Sequence, residues 1–445
     1  MAKDRDCVLQ QNLGHSYRTI VRGEGSHVYD DQGKRYLDAA SGVGVVNIGY
    51  GVEQVVAAIA EQARTLAFSY GGLVDNRPRQ ELASMLQRWV PDGMGHTRTL
   101  FCSGGGEANE AALKLAYQYH WERGRPTKRK VISRWQSYHG STIATLSMSG
   151  RTQWRRMHNP YLLDFPHIAP PYSYRYPGED IDRARELERV IRQEGPEHIA
   201  AFIAEPVIGT SMSAVIPDPD YYRVIREICD EYDVLFIADE VMSGVGRTGR
   251  SFGIDHWGVS PDIITAGKGI SGGYSPLSAT ILAERLWRAI EEGSQTLGYL
   301  STYGGNPVSC AAGVAALRYI EENGLVQRAG EMGDKLIDGL RREVGPLPIV
   351  GDVRGKGLFI GLEFVSDKQS KEPFPVEWDV THQIADDAFD HGLIVLGGVT
   401  GVVDGIAGDH LEVLPPYVIE DADIEFIVST LKASIERVTS KLAVG

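Results

Sequence analysis

From residue 17 to residue 38 polar and apolar positions alternate, and Gly23, Gly25 and Gly33 act as turn signals. A period of two predicts short antiparallel strands. From Val52 to Leu66 the spacing becomes helical, with Val55, Val56, Ile59 and Ala63 on one side. Beyond residue 80 short continuous apolar runs replace the alternation: Thr99–Cys102, Lys130–Ser133, Ile199–Ala204, Val234–Ala238, Ile263–Ala266 and Ala279–Leu282. Helical segments such as Glu107–His120 and Pro219–Tyr232 separate most of them. Strands without a polar side must be covered on both faces, so this order predicts an α/β fold with a mostly parallel sheet between helices. After residue 310 a helix (Cys310–Glu322) leads into another, then into strands around Val350–Phe364 and Leu411–Leu414, then into a final helix. The expected division is a large unit over residues 66–309 and a smaller α+β unit built from both chain ends, 1–65 and 310–445.

Composition narrows the function classes. A chain of 445 residues exceeds one ordinary hydrophobic core. With 42% hydrophobic and 23% charged residues it reads as globular, not disordered or fibrous. The net charge is −14 and no basic block interrupts it, which argues against a nucleic-acid or anionic-membrane partner. Four widely separated cysteines (Cys7, Cys102, Cys229, Cys310) give neither a disulfide framework nor a zinc spacing, so no metal site is expected. No apolar stretch is long enough to span a bilayer, and the charged segment Met1–Gln10 has no apolar signal core. A cytoplasmic protein is the expectation.

Ligands of open parallel sheets sit at the carboxyl ends of the strands, and four of those ends carry unusual residues here. The first is Cys102-Ser103-Gly104-Gly105-Gly106-Glu107. Its glycines let the backbone approach an anion, and the following helix offers free N–H groups. A plain strand-to-helix turn explains them equally well. The second is the apolar run ending in Ala238-Asp239-Glu240. A carboxylate there requires a cationic partner, such as a protonated ring nitrogen, unless it is a helix cap or a structural ion pair. The third is Ala266-Gly267-Lys268-Gly269. Burial lowers a lysine's pKa and makes it nucleophilic, whereas a turn lysine would face solvent. The fourth is Trp135-Gln136-Ser137-Tyr138-His139-Gly140, whose aromatics either stack on a flat ligand or pack the rim. Together these are a phosphate cradle, an acid for a pyridinium nitrogen, a reactive lysine and a stacking ring, the parts that pyridoxal phosphate demands.

Beyond those parts, the sequence resembles the class III (ω-type) aminotransferases of the pyridoxal-phosphate fold type I superfamily. The resemblance runs from Tyr17 to Ile435. Ala238-Asp239-Glu240-Val241-Met242-Ser243-Gly244-Val245-Gly246-Arg247-Thr248-Gly249 is similar to the family signature, with Lys268 at the expected distance downstream. Ser301-Thr302-Tyr303-Gly304-Gly305-Asn306-Pro307 is similar to its partner-subunit phosphate motif, and Tyr138-His139-Gly140 and Glu205-Pro206 also match. The resemblance implies that Lys268 binds the cofactor and moves the proton, and that Asp239 pairs with the ring nitrogen. Tyr138 and Val241 would cover the two ring faces, and Gly104, Gly105 and Gly106 would cradle the phosphate. Thr302 would reach the phosphate of a second copy, which implies a homodimer and leaves pairing into tetramers open. Glu205 would bond near the cofactor's hydroxyl side or tune the pocket, while His139 reads as a structural wall residue.

Three departures qualify this. Gly104 and Gly106 stand where the family usually has hydroxyl residues. Gly44 stands where many amine-specific members carry a tryptophan, which predicts a more open entrance. Gly405 stands where many carry an arginine for the substrate carboxylate, and no arginine lies between Val376 and Glu436. Arg155, Arg156 and Arg175 lie in a long loop that is a possible source of another cation. The implied activity is transfer of an amino group from a primary amine or a ω- or β-amino compound to a keto acid, pyruvate ahead of 2-oxoglutarate, by ping-pong kinetics. An amino-acid racemase, epimerase or aminomutase on the same scaffold is the alternative, to which the missing arginine gives weight. A non-enzymatic module would be expected to have lost Lys268 or Asp239, and both are present.

Overall fold

The computed structural model describes residues 7–442. Residues 1–6 and 443–445, which include much of the segment Met1–Gln10 and the outer ends of the expected small unit, lie outside the described residues. The alternating segment forms Ile20–Glu24 (β1), His27–Asp30 (β2) and Arg35–Asp38 (β3), paired antiparallel in that order.

The main sheet contains Arg98–Cys102 (β4), Lys130–Arg134 (β5), His167–Ile168 (β6), Ile199–Ala204 (β7), Leu235–Asp239 (β8), Ile263–Ala266 (β9) and Ser278–Leu282 (β10). Their spatial order is β4-β10-β9-β8-β7-β5-β6. Strand β10 runs antiparallel to both neighbours, and the other pairings are parallel. Every residue of β7, β8, β9 and β10 is buried, as apolar runs without a polar side require. Each fully buried Ile or Phe in them contributes about 1.5–3 kcal/mol. The Gly105–Glu122 helix covers the sheet with Ala108, Ala111, Ala112 and Ala116. These small side chains bring it so close that Thr280 Oγ1 donates to the Ala108 carbonyl at 2.8 Å. The two-residue β6 was not expected, because so short a strand carries no pattern of its own.

The C-terminal part adds Val350–Lys356 (β11), Phe359–Phe364 (β12), Leu393–Ile394 (β13), Leu396–Gly397 (β14) and Asp409–Val413 (β15). Four of them form an antiparallel sheet in the order β11-β12-β15-β14. Strand β13 instead runs parallel to β3, so segments from near the two chain ends share one sheet. The Tyr36 ring stacks on Phe389 at 4.7 Å beside that junction.

The Glu53–Thr65 helix departs from its predicted apolar side, because Val55 is fully buried but Val56 is exposed. More apolar surface follows in sequence. Phe68, Leu73, Val74, Leu300 and Tyr303 are all exposed, and Phe68 meets Tyr303 edge-on at 5.9 Å. No helix among the described residues is long and apolar enough to cross a membrane.

Candidate active site

Because β4, β5, β7, β8 and β9 run the same way, their carboxyl ends share one edge of the main sheet. The glycine turn, the Tyr138 loop, Glu205, Asp239 and Lys268 follow those ends and are thereby assembled.

Lys268 lies directly after β9 with φ +45°, a left-handed conformation that is costly for a residue with a side chain. Its Nζ has no hydrogen-bond partner among the described residues. Burial pulls its pKa down to about 8, opposed by the negative charges of Glu412, Asp239 and Glu205. The glycines beside it allow close approach. A Cβ at Gly267 would stand 3.3 Å from Val241 Cγ1, and one at Gly269 would stand 2.6 Å from Asn47 Nδ2.

Asp239 ends β8 and is 3% exposed. Its Oδ2 accepts from Asn109 Nδ2 at 2.7 Å and from His139 Nδ1 at 2.7 Å, while its Oδ1 accepts from the Val241 N–H at 3.1 Å. An ionised carboxylate only accepts, so Nδ1 of His139 carries the proton. Asn109 also donates to the His139 carbonyl at 2.8 Å, and its Oδ1 accepts from Thr265 Oγ1 at 2.7 Å. The carboxylate is therefore fixed in direction. Glu240 behaves differently: it accepts from Ser243 and from the Gly253 and Ile254 N–H groups, a structural role in pinning a turn.

In the glycine turn, a Cβ on Gly105 would collide with Val241 Cγ1 at 2.7 Å, whereas one on Gly104 would meet nothing within 4 Å. Gly104 caps the following helix without a side-chain bond, which leaves its first-turn N–H groups without a side-chain cap. The Tyr138-His139-Gly140 loop lies alongside, with Gly140 Cα 3.6 Å from where a Gly106 Cβ would be. The half-buried Tyr138 has the Arg151 guanidinium 4.2 Å from its ring centroid. Trp135, in the same motif, stacks on His167 at 4.5 Å instead. Glu205 is 5% exposed; its Oε1 accepts from the Tyr138 N–H at 3.3 Å and its Oε2 has no partner. Thr302 is exposed and makes no side-chain hydrogen bond among the described residues.

Several residues of the site carried no usable sequence signal. Asn109 reads as one polar position in an alanine-rich helix, and Thr265 as part of an apolar strand. His139, expected to fill a wall, instead bonds Asp239 directly. Glu412 on β15 is fully buried, neither of its oxygens has a partner, and burial pushes its pKa up to about 8.

Two of the three arginines offered as substitutes for the missing cation are otherwise engaged. Arg155 bonds the carbonyls of Leu146, Ser147 and Ser149, Arg175 bonds Glu363 and the Lys371 carbonyl, and Arg156 is exposed. The loop carrying Gly405 is held by Gln136, whose amide oxygen accepts from the Asp404 and Gly405 N–H groups at 3.3 and 3.1 Å. Gly405 has φ +70°, and a Cβ there would collide with Thr152. A side chain at 405 would strain this backbone and crowd Thr152. A cavity of about 510 Å³ borders this loop, lined in part by Trp135, Gln136, Tyr172, Val403 and Gly405. No group of three His, Cys, Asp or Glu residues able to hold a metal ion occurs among the described residues.

Comparison with known proteins gives a consistent family. The model of the family "Aminotransferase class-III" matches residues 8–435. A Bacillus anthracis aminotransferase is 38% identical, and its crystal structure superposes with a TM-score of 0.90 over 95% of this chain and 94% of that one. The ω-transaminase from Pseudomonas jessenii, solved in complex with PMP, is 34% identical with a TM-score of 0.89 over 96% and 94% of the two chains. Gamma aminobutyrate transaminase 2 of Solanum lycopersicum is 35% identical over 92% of this chain and 89% of its own length.

Proposed function

The chain belongs to the class III aminotransferases, and from that premise we propose that it is a pyridoxal-phosphate transaminase acting on a primary amine or a ω- or β-amino compound. Its acceptor is a keto acid, pyruvate ahead of 2-oxoglutarate, in ping-pong order. One observation carries this reading: an unpartnered lysine, a fixed buried carboxylate and an open glycine turn share one sheet edge.

Pyridoxal phosphate, when bound, supplies an aldehyde carbon for an amine and a ring that accepts an electron pair. The residues fit that group: the space over Gly104 is open at the start of a helix, and the Asp239 carboxylate is fixed by Asn109, His139, Thr265 and the Val241 N–H. Lys268 would hold the aldehyde carbon and afterwards carry a proton to and from the substrate carbon. Asp239 would keep a proton on the ring nitrogen, with Asn109 and His139 as positioning residues. Gly104, Gly105 and Gly106 would bind the phosphate through backbone N–H groups. Tyr138 and Val241 would exclude water from the two ring faces, and Glu205 would border the hydroxyl side. Over the full cycle the donor's C–N bond becomes C=O and the acceptor's C=O becomes C–N, so atoms balance.

A homodimer belongs to the same proposal. Thr302 lies between exposed Leu300 and Tyr303, Phe68 meets Tyr303, and Leu73 and Val74 are exposed as well; a second copy covering them would receive Thr302 at its phosphate. The division into residues 66–309 and residues 1–65 with 310–445, and a cytoplasmic location, are proposed with it.

The test is a half-reaction titration. Cofactor-loaded enzyme is mixed with one amine at a time, without acceptor, and its visible absorption is followed. A donor should bleach the band and pyruvate should restore it. If no donor bleaches the band while an amino acid exchanges its α-proton in heavy water, the racemase or mutase alternative replaces this reading.

Gly44 sets the width of the entrance in this proposal. It is buried with φ +70°, and a Cβ there would meet Met242 Cε at 3.5 Å and Leu414 Cδ1 at 3.9 Å. Gly44→Trp is expected to restrict turnover to small amines and to cost about 1–3 kcal/mol of stability from the left-handed backbone. Rates across a series of amines of rising bulk, with a thermal melt, check both parts. An unchanged bulk limit would remove Gly44 from the entrance.

A further inference from the structure

Beside the Tyr138 ring lies a buried cation with no anion in contact. Arg151 is 8% exposed, and its guanidinium stands 4.2 Å from the ring centroid of Tyr138 and 4.9 Å from that of Trp154. Nε donates to Ser211 Oγ at 3.2 Å, and Nη2 donates to Thr210 Oγ1. Both partners are neutral, and Arg151 forms no ion pair among the described residues. Burial lowers its pKa, opposed by Tyr138, Glu205 and Glu412, the two acids acting only through space.

Ser211 and Thr210 occupy one edge of the guanidinium. At the other end, Nη1 has no hydrogen-bond partner among the described residues and is not enclosed. Arg151 lines a narrow cleft with Gln136, Thr152, Ser211 and Gly405. The cleft holds about 10 Å³, close to the room that one water oxygen needs. It shares Gln136, Thr152 and Gly405 with the cavity of about 510 Å³. Gly405 is where the resemblance places a carboxylate-binding arginine, so here a cation comes to the same loop from another element. The other buried arginines do not compete for that role. Arg134 and Arg247 are fully enclosed and bond backbone carbonyls, and Arg354 is paired with Glu363 and Asp352. A buried charge in contact only with neutral groups favours an anionic ligand. Held by two rings and two hydroxyls, this guanidinium gives up little freedom when it takes one.

We infer that Arg151 binds the carboxylate of the keto-acid acceptor, in place of an arginine on the Gly405 loop. This rests on the transaminase reading above and names the residue that selects the acceptor. The carboxylate accepts a charge-assisted hydrogen bond from Nη1, with one oxygen in the cleft beside Gly405, while the keto carbon faces Lys268. During the donor half of the cycle a plain amine leaves Nη1 to water. The arginine stays in place in both halves, because Tyr138, Trp154, Thr210 and Ser211 hold it.

Steady-state kcat/KM is measured with one amine donor and two acceptors of the same shape, pyruvate and its neutral amide, pyruvamide. The wild-type enzyme is expected to prefer pyruvate by about 10–100-fold, mainly through KM, as loss of a hydrogen bond to a charged group costs. Arg151→Gln should abolish that preference, and Arg151→Lys, which keeps the charge, should restore part of it. A merely structural residue would lower the rates with both acceptors alike. Equal treatment of the two acceptors by the wild type, or the same loss for both in Arg151→Gln, would overturn the inference while leaving the transaminase reading standing. Should Arg151→Gln not fold, Thr210→Val, which releases Nη2, decides: the pyruvate preference should fall, and an unchanged preference would overturn the inference. If no amine bleaches the visible band of the loaded enzyme, the transaminase reading falls and this inference with it.

Discussion

Lys268→Ala is expected to abolish amine turnover, lowering it by at least about 10⁴-fold, because one amino group both holds the cofactor and moves the proton. The structure contains an internal control for this assignment. Lys128 is buried, with its pKa likewise lowered to about 8, yet its Nζ donates to the carbonyls of Ile199, Tyr232 and Asp233. It is a structural lysine at the entry to β7 and β8. Lys268 has the same shift, no partner, and a strained φ of +45° at the opposite end of the strands. Borohydride reduction of the cofactor-loaded protein followed by peptide mapping should label Lys268 and not Lys128. The pH dependence follows from the direction of the shift. Lys268 loses its proton as pH rises through about 8, so capture of the aldehyde by apoprotein should rise there and level off above it. A lysine with the ordinary value of about 10.4 would still be gaining rate at pH 10. Residual turnover by Lys268→Ala, or label on another lysine, would end the assignment.

Asp239→Asn is the second large effect, expected at about 10³–10⁴-fold in kcat with the fold retained. The substitution removes the negative charge that keeps a proton on the ring nitrogen. Asn109 Nδ2 and His139 Nδ1 both donate to Oδ2 at 2.7 Å, so the amide oxygen takes that place and the amide NH2 replaces Oδ1, facing the Val241 N–H that now donates there at 3.1 Å. One buried donor is then left unpaired, at a cost of about 1–3 kcal/mol. A thermal melt beside the kinetics separates the two consequences. The stability loss should be modest and the rate loss far larger. Asn109→Ala, which loosens the carboxylate but keeps its charge, should cost much less rate. Equal losses for Asn109→Ala and Asp239→Asn would mean that orientation, not charge, is what Asp239 supplies.

The strands were legible because burial on both faces writes itself as continuous apolar runs. Ile199–Ala204 and Ile263–Ala266 have the boundaries expected from those runs. Lys268 and Asp239 were legible for a related reason: each interrupts an apolar run at the point where a parallel strand must end. Strand β6 was illegible because two residues have no period. The engagement of Arg155 and Arg175 was illegible because their partners, Ser147 and Glu363, are fixed by loop paths that spacing does not encode.

By itself the sequence determined the strand-and-helix order, the chemistry at the strand ends and the family. Each of those depends on residues close together in the chain. The tertiary structure alone decided what surrounds those groups. His139 and Asn109 were joined to Asp239 across 100 and 130 residues. Thr152 was set where it crowds any side chain at position 405. Glu412, one acid in a strand of mixed character, was turned inward without a partner. Hydrogen bonds and charge balance inside a core are settled between elements distant in sequence, so local pattern carries no trace of which buried charge is left unpaired.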